Sequence, residues 1–172
     1  KNPLPKIQPT TCTEHLAPNS RALPPNFSAH MIWKQAATPE GLNTLNANSM
    51  PEHLGIRLTE VGPDYLVATM PVSPRTVQPF RILHGGASVV LAESLGSIAS
   101  MLCIEDLSMH TAVGLEVNAN HLKSVPEGKS VTATCKPLRI GRTVHVWSIE
   151  IRDEQGDLSC ISRLTVSIIP RR

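Results

Sequence analysis

Apolar and polar residues alternate along six separate runs of this chain, and one long stretch between the second and third runs is apolar at nearly every position. Period-two alternation marks strands with two chemically different faces. It predicts strands over Leu54–Val61, Tyr65–Val72, Thr111–Leu122, Ser130–Ile140, Thr143–Arg152 and Leu158–Ile169. In the fifth run His145, Trp147, Ile149 and Ile151 share one face, and Val144, Val146, Ser148 and Glu150 share the other. Turn chemistry separates the runs at Gly62-Pro63-Asp64, Pro126-Glu127-Gly128, Gly141-Arg142 and Asp153 to Asp157. The apolar stretch, Gly85 to about Cys103, reads as a long helix, and Pro39–Ser49 as a short one with Thr38 as N-cap and Pro39 in the first turn. Hairpin-connected strands around one segregated helix make an α+β domain in which an antiparallel sheet curls around that helix.

The first thirty residues break the pattern. They hold six of the fifteen prolines and no apolar periodicity, which predicts an irregular extension ahead of one domain over 31–172. Charge and composition narrow the function. A net charge of +2 and five aromatic residues argue against a nucleic-acid partner or an anionic membrane surface. Cys12, Cys103, Cys135 and Cys160 show neither CxxC nor zinc-ligand spacing, so a reducing cytoplasm, with no metal or other cofactor, is the expectation.

The candidate chemistry lies on the long helix. Between Ile82 and Ile104 the only formally charged residue is Glu93. A helix apolar on all sides is a buried one, and a buried carboxylate is costly unless it is paired with a cation or serves a function. Both readings stay open on pattern alone. His84-Gly85-Gly86 precedes the helix, where bare glycines admit a ligand to the free N–H groups of the first turn. Such a helix start suits an oxyanion, although an ordinary Gly-rich turn reads the same way. Gly86, Val90, Glu93 and Ser97 share a face, with the carboxylate about 10 Å below the helix start. Competing motifs fail: no G-x-S-x-G surrounds a serine, Lys123 stands where a phosphate loop ending at Gly128-Lys129-Ser130 needs glycine, and no H-E-x-x-H occurs. Of the seven histidines, His84 and His121 merit weight.

The segment His84-Gly85-Gly86-Ala87-Ser88-Val89-Val90-Leu91-Ala92-Glu93-Ser94-Leu95-Gly96-Ser97 resembles the PaaI-type hotdog thioesterases. Gly114-Leu115-Glu116-Val117-Asn118-Ala119-Asn120-His121 and Cys135-Lys136-Pro137-Leu138 extend the similarity, which runs from Met31 to about Pro170. The resemblance implies a hotdog fold and hydrolysis of acyl-CoA, with an aromatic acyl group such as 1,4-dihydroxy-2-naphthoyl. It implies Glu93 as general base or nucleophile, Gln78 and His84 at the thioester carbonyl, a backbone N–H from Gly85, and Gly86 and Ser97 beside the substrate. His121 and Lys123 would come from a neighbouring subunit of a homodimer or homotetramer. Arg139 and Arg142 stand in a hairpin associated with CoA, where basic side chains suit its phosphates. The Ile104–His110 loop is about two residues longer than in close relatives. The alternatives are a proofreading enzyme acting on misacylated carrier protein and a non-catalytic acyl-CoA-binding module, the latter disfavoured because binding alone needs no buried carboxylate. A hotdog hydratase is disfavoured for want of an Asp/His dyad.

Overall fold

The computed structural model describes residues 31–171; the extension expected over residues 1–30 lies outside the described residues. Two short helices come first: α1 (Pro39–Leu45), which stops short of the Ser49 end that the sequence predicts, and α2 (Met50–His53), which follows the predicted helix. The break has a local cause. Asn48 takes a left-handed conformation (φ 58°), which asparagine tolerates better than most residues, and Pro51 fits only the start of a new helix. Because α2 and the left-handed Gly55 occupy the chain up to that point, the first strand starts at Arg57 rather than Leu54.

The strands are β1 (Arg57–Val61), β2 (Leu66–Pro71), β3 (His110–His121), β4 (Ser130–Ile140), β5 (Val144–Asp153) and β6 (Leu158–Pro170). They form one sheet in the order β1-β2-β4-β5-β6-β3, antiparallel at every pairing. The helix α3 (Gly85–Leu102) packs on the concave face against β2 to β6, which is the hotdog arrangement. The alternation in β5 holds: His145, Trp147, Ile149 and Ile151 are all buried against the helix. Leu91, Leu95 and Leu102 reach the same core, and each fully buried leucine stabilises the fold by about 2 kcal/mol. Gly96 lets α3 approach β6, since a Cβ there would lie 2.5 Å from Leu164 Cδ2. By length and composition α3 could cross a membrane, but here it is the core helix of the sheet.

The helix is not buried on every side, and this corrects the sequence reading. Ala87, Leu91, Leu95, Ala99 and Leu102 are buried, whereas Val90, Glu93, Ser97 and Met101 are half-buried. One sheet covers one side of a helix. The half-buried side lies toward β3, a twelve-residue edge strand of that sheet whose Leu115 is 62% exposed and Val113 43%.

Candidate active site

The start of α3 is built by the loop before it. His84 is the N-cap, and its Nδ1 accepts the Gly86 N–H at 2.8 Å. A neutral imidazole accepting at Nδ1 carries its proton on Nε2, so His84 presents a donor outward. Ala87 and Ser88 donate to the His84 carbonyl. Among the described residues the Gly85 N–H has no partner, which leaves it as the free donor at the positive end of the helix.

Gln78 stands across a cavity of about 320 Å³ that Gly85 also lines. Its Oε1 accepts the Phe80 N–H at 2.9 Å, which turns the amide NH₂ to the donating side. His121, at the end of β3, lies directly on Gly85: a Cβ on that glycine would come 2.7 Å from His121 Nε2. Lys123 lines the same cavity, but its ammonium is held by Asp153 at 2.5 Å and Asp157 at 2.6 Å. The hydrogen bond from Lys123 holds the Asp153 carboxyl below the usual carboxylate range, and the two carboxylates raise Lys123 in turn. His121 and Lys123 thus stand beside Gly85 of their own chain, and Lys123 ties β3 to the β5–β6 turn.

Glu93 sits two turns further along α3, half-buried, with Oε1 accepting from Ser97 Oγ at 3.2 Å. Among the described residues no cation pairs with it, so the ion-pair reading drops away. Its carboxylate lies against the bare face of Gly114 on β3, where a Cβ would overlap Oε1. Gly114 is a residue the sequence analysis did not single out for the site. The signal was there in a glycine inside a strand run, which marks a close approach. Eight residues of helix, about 12 Å, separate Gly85 from Glu93.

The remaining predicted residues are elsewhere. Gly86 is capped by His84 and exposed. Arg139 and Arg142 are exposed at the β4–β5 hairpin, and Arg142 lines a second cavity of about 500 Å³ with Lys34, Cys103, His110 and His145. That cavity lies at the other end of α3, which is about 27 Å long. Burial pushes the Cys103 thiol up to about 11 and the His145 imidazole down, so this cavity offers no ready thiolate. One chain therefore gathers hydrogen-bond donors at one end of the helix, a carboxylate in its middle and basic side chains at its far end.

Comparison with known proteins places the chain in a family. The model of the thioesterase superfamily matches residues 80–160. A 1,4-dihydroxy-2-naphthoyl-CoA hydrolase of Escherichia coli (strain K12) is 54% identical over 139 residues, 81% of this chain and 100% of that one. A proofreading thioesterase, EntH, of Cronobacter sakazakii is 49% identical, covering 81% of this chain and 99% of its own. Among solved structures, a mutant thioesterase from Pseudomonas aeruginosa superposes with a TM-score of 0.78 at 50% identity, over 81% of this chain and 99% of that one.

Proposed function

The chain belongs to the thioesterase superfamily and is a hydrolase of acyl-CoA thioesters, and from that premise we propose that it takes an aromatic acyl group such as 1,4-dihydroxy-2-naphthoyl and uses Glu93 for the chemistry. The observation that carries the reading is the Glu93 carboxylate, bound among the described residues by Ser97 alone and seated on Gly114 in a helix otherwise free of formal charge. The thioester oxygen would accept from the free Gly85 N–H, with the Gln78 amide and His84 Nε2–H as further donors to the developing oxyanion. Glu93 either takes a proton from the water that attacks the carbonyl carbon or attacks that carbon itself, and water then releases it. Either route breaks the C–S bond and yields the carboxylate and the CoA thiol.

Distance determines how these parts meet. An oxygen at the Gly85 N–H is about 12 Å from Glu93 of the same chain, too far for that carboxylate to serve the adjoining carbon. The unpaired β3 edge and the half-covered side of α3 favour a dimer in which two β3 strands pair antiparallel. Two helices side by side in opposite directions would then bring Glu93 of the partner subunit toward Gly85. The same pairing, centred on the strand, sets His110 of one chain opposite the partner's His121, so the cavity with Arg142 approaches the partner's thioester site. Basic groups there suit CoA phosphates. The free thiols of Cys103, Cys135 and Cys160 fit work in a reducing cytoplasm.

The test is Glu93→Gln, which keeps shape but removes basicity and the nucleophilic oxygen. The expected result is a fall in kcat of at least about 10²-fold in a dimer that still binds substrate; near-native turnover in a folded variant refutes the mechanism. A second reading, hydrolysis of misacylated carrier protein, draws on the similarity to EntH. Higher kcat/KM with aroyl-carrier protein than with the matching aroyl-CoA would favour it.

A further inference from the structure

We propose that Arg81 and Glu127 form a latch that positions the Gln78 amide at the thioester carbonyl, an inference that rests on the reading of Gln78 given above. Arg81 is one of two described non-glycine residues in the left-handed region, at φ 60°. A side chain is strained there and persists only where its surroundings hold it. The surroundings are specific. The Arg81 guanidinium grips the Glu127 carboxylate with two bonds, Nε to Oε2 at 2.7 Å and Nη2 to Oε1 at 2.5 Å. The Glu127 N–H donates to the Arg81 carbonyl at 3.0 Å, and the neighbouring Leu83 N–H donates to the Val125 carbonyl at 2.8 Å. The loop that carries Gln78 is thus fastened to residues 125–127, 46 positions away from Arg81 in the case of the ion pair.

The turn transmits this hold to Gln78. The Arg81 N–H donates to the Gln78 carbonyl and the Gln78 N–H to the Ile82 carbonyl, both at 2.9 Å. Where Arg81 turns therefore sets where Gln78 projects. Phe80 N–H then engages Gln78 Oε1 and leaves the NH₂ end without a partner among the described residues, on a side chain that lines the cavity shared with Gly85. The ion pair is substantially exposed, 58% at Arg81 and 27% at Glu127. Exposed pairs add little stability, so the consequence of this one is geometry: a donor displaced by an ångström loses up to about 10²-fold in rate. Arg81 and Glu127 are positioning residues, acting through Gln78 without touching substrate.

The test uses the full chain with benzoyl-CoA as substrate and reads kcat, KM and Tm. Glu127→Gln should lower kcat roughly tenfold, with KM changed less than about twofold and cooperative melting kept. The charge-swapped pair Arg81→Glu with Glu127→Arg should recover most of that loss. In a Gln78→Ala background, Glu127→Gln should cost nothing further, because the group it positions is gone. Should Glu127→Gln melt non-cooperatively, Arg81→Gly opens the latch while relieving the left-handed strain and is expected to lower kcat equally. A kcat within about twofold of wild type for the latch variants, or a full additive loss on top of Gln78→Ala, overturns the proposal. If Gln78→Ala lowers kcat and the latch variants do not, the latch alone fails. If Gln78→Ala keeps native kcat, the assignment of Gln78 fails and the latch with it.

Discussion

Replacing Gly114 with alanine tests the site through a residue that carries no chemistry. A Cβ on Gly114 would fall inside contact distance of Glu93 Oε1 and 3.2 Å from its Cδ. Carbon contacts are comfortable near 3.5 Å, so the carboxylate must swing aside by about an ångström. The Ser97 hydrogen bond, already 3.2 Å, would be strained or lost by that movement. A displacement of this size at the reacting group costs on the order of 10²-fold in kcat, or about 2.7 kcal/mol of transition-state stabilisation. The backbone gives no competing penalty. Gly114 lies outside the left-handed region, and alanine in a strand loses less entropy than glycine. The expected outcome is therefore a melting temperature equal to or above wild type, a dimer by light scattering, and kcat down about 10²-fold with KM little changed. In a Glu93→Gln background the substitution should cost nothing more. A folded dimeric Gly114→Ala enzyme within about twofold of native kcat would refute the placement of the working carboxylate on that glycine.

Lys123→Ala leaves the Asp153 carboxylate, 5% exposed, without its cation, so the melting temperature should fall while KM for the CoA thioester stays unchanged. Asp153 is depressed and Lys123 raised, so the clip is fully formed above the usual carboxylate pKa and below the usual lysine value; it weakens as pH falls through the depressed Asp153 pKa or rises through the elevated Lys123 pKa. Thermal melts against pH should lose the difference between wild type and variant at both ends. Arg142→Ala should raise KM for acyl-CoA more than it lowers kcat, and leave a substrate truncated to the pantetheine arm unaffected; steady-state kinetics on both substrates check this. Deleting residues 1–30 should preserve cooperative melting in calorimetry, because they show no apolar periodicity and the described core is anchored at its start by Trp33, whose Nε1–H donates to the Gly62 carbonyl at 2.6 Å and whose ring stacks on Trp147.

The period-two alternation determined the six strands, because side chains on opposite faces of a strand meet different solvents whatever else the fold does. The Gly85–Leu102 helix, its glycine start and its lone carboxylate were legible for the same reason, as local chemistry written in consecutive residues. Local signals misled around Asn48, whose left-handed backbone falls inside the helix expected over Pro39–Ser49, which stops at Leu45, and an arginine at 81 does not by itself mark the left-handed conformation that glycine usually takes. Tertiary structure alone decided the rest. A carboxylate among apolar neighbours in sequence proved half-buried, because it lies toward β3, the edge strand of the sheet. Lys123, basic and near the site in sequence, proved committed to Asp153 and Asp157, thirty and thirty-four positions away. Arg142 and Gly85, both on residues suited to a CoA thioester, proved to lie at opposite ends of α3. Pairings of this kind depend on which distant segments the sheet order brings together, and a single run of residues carries no record of that order.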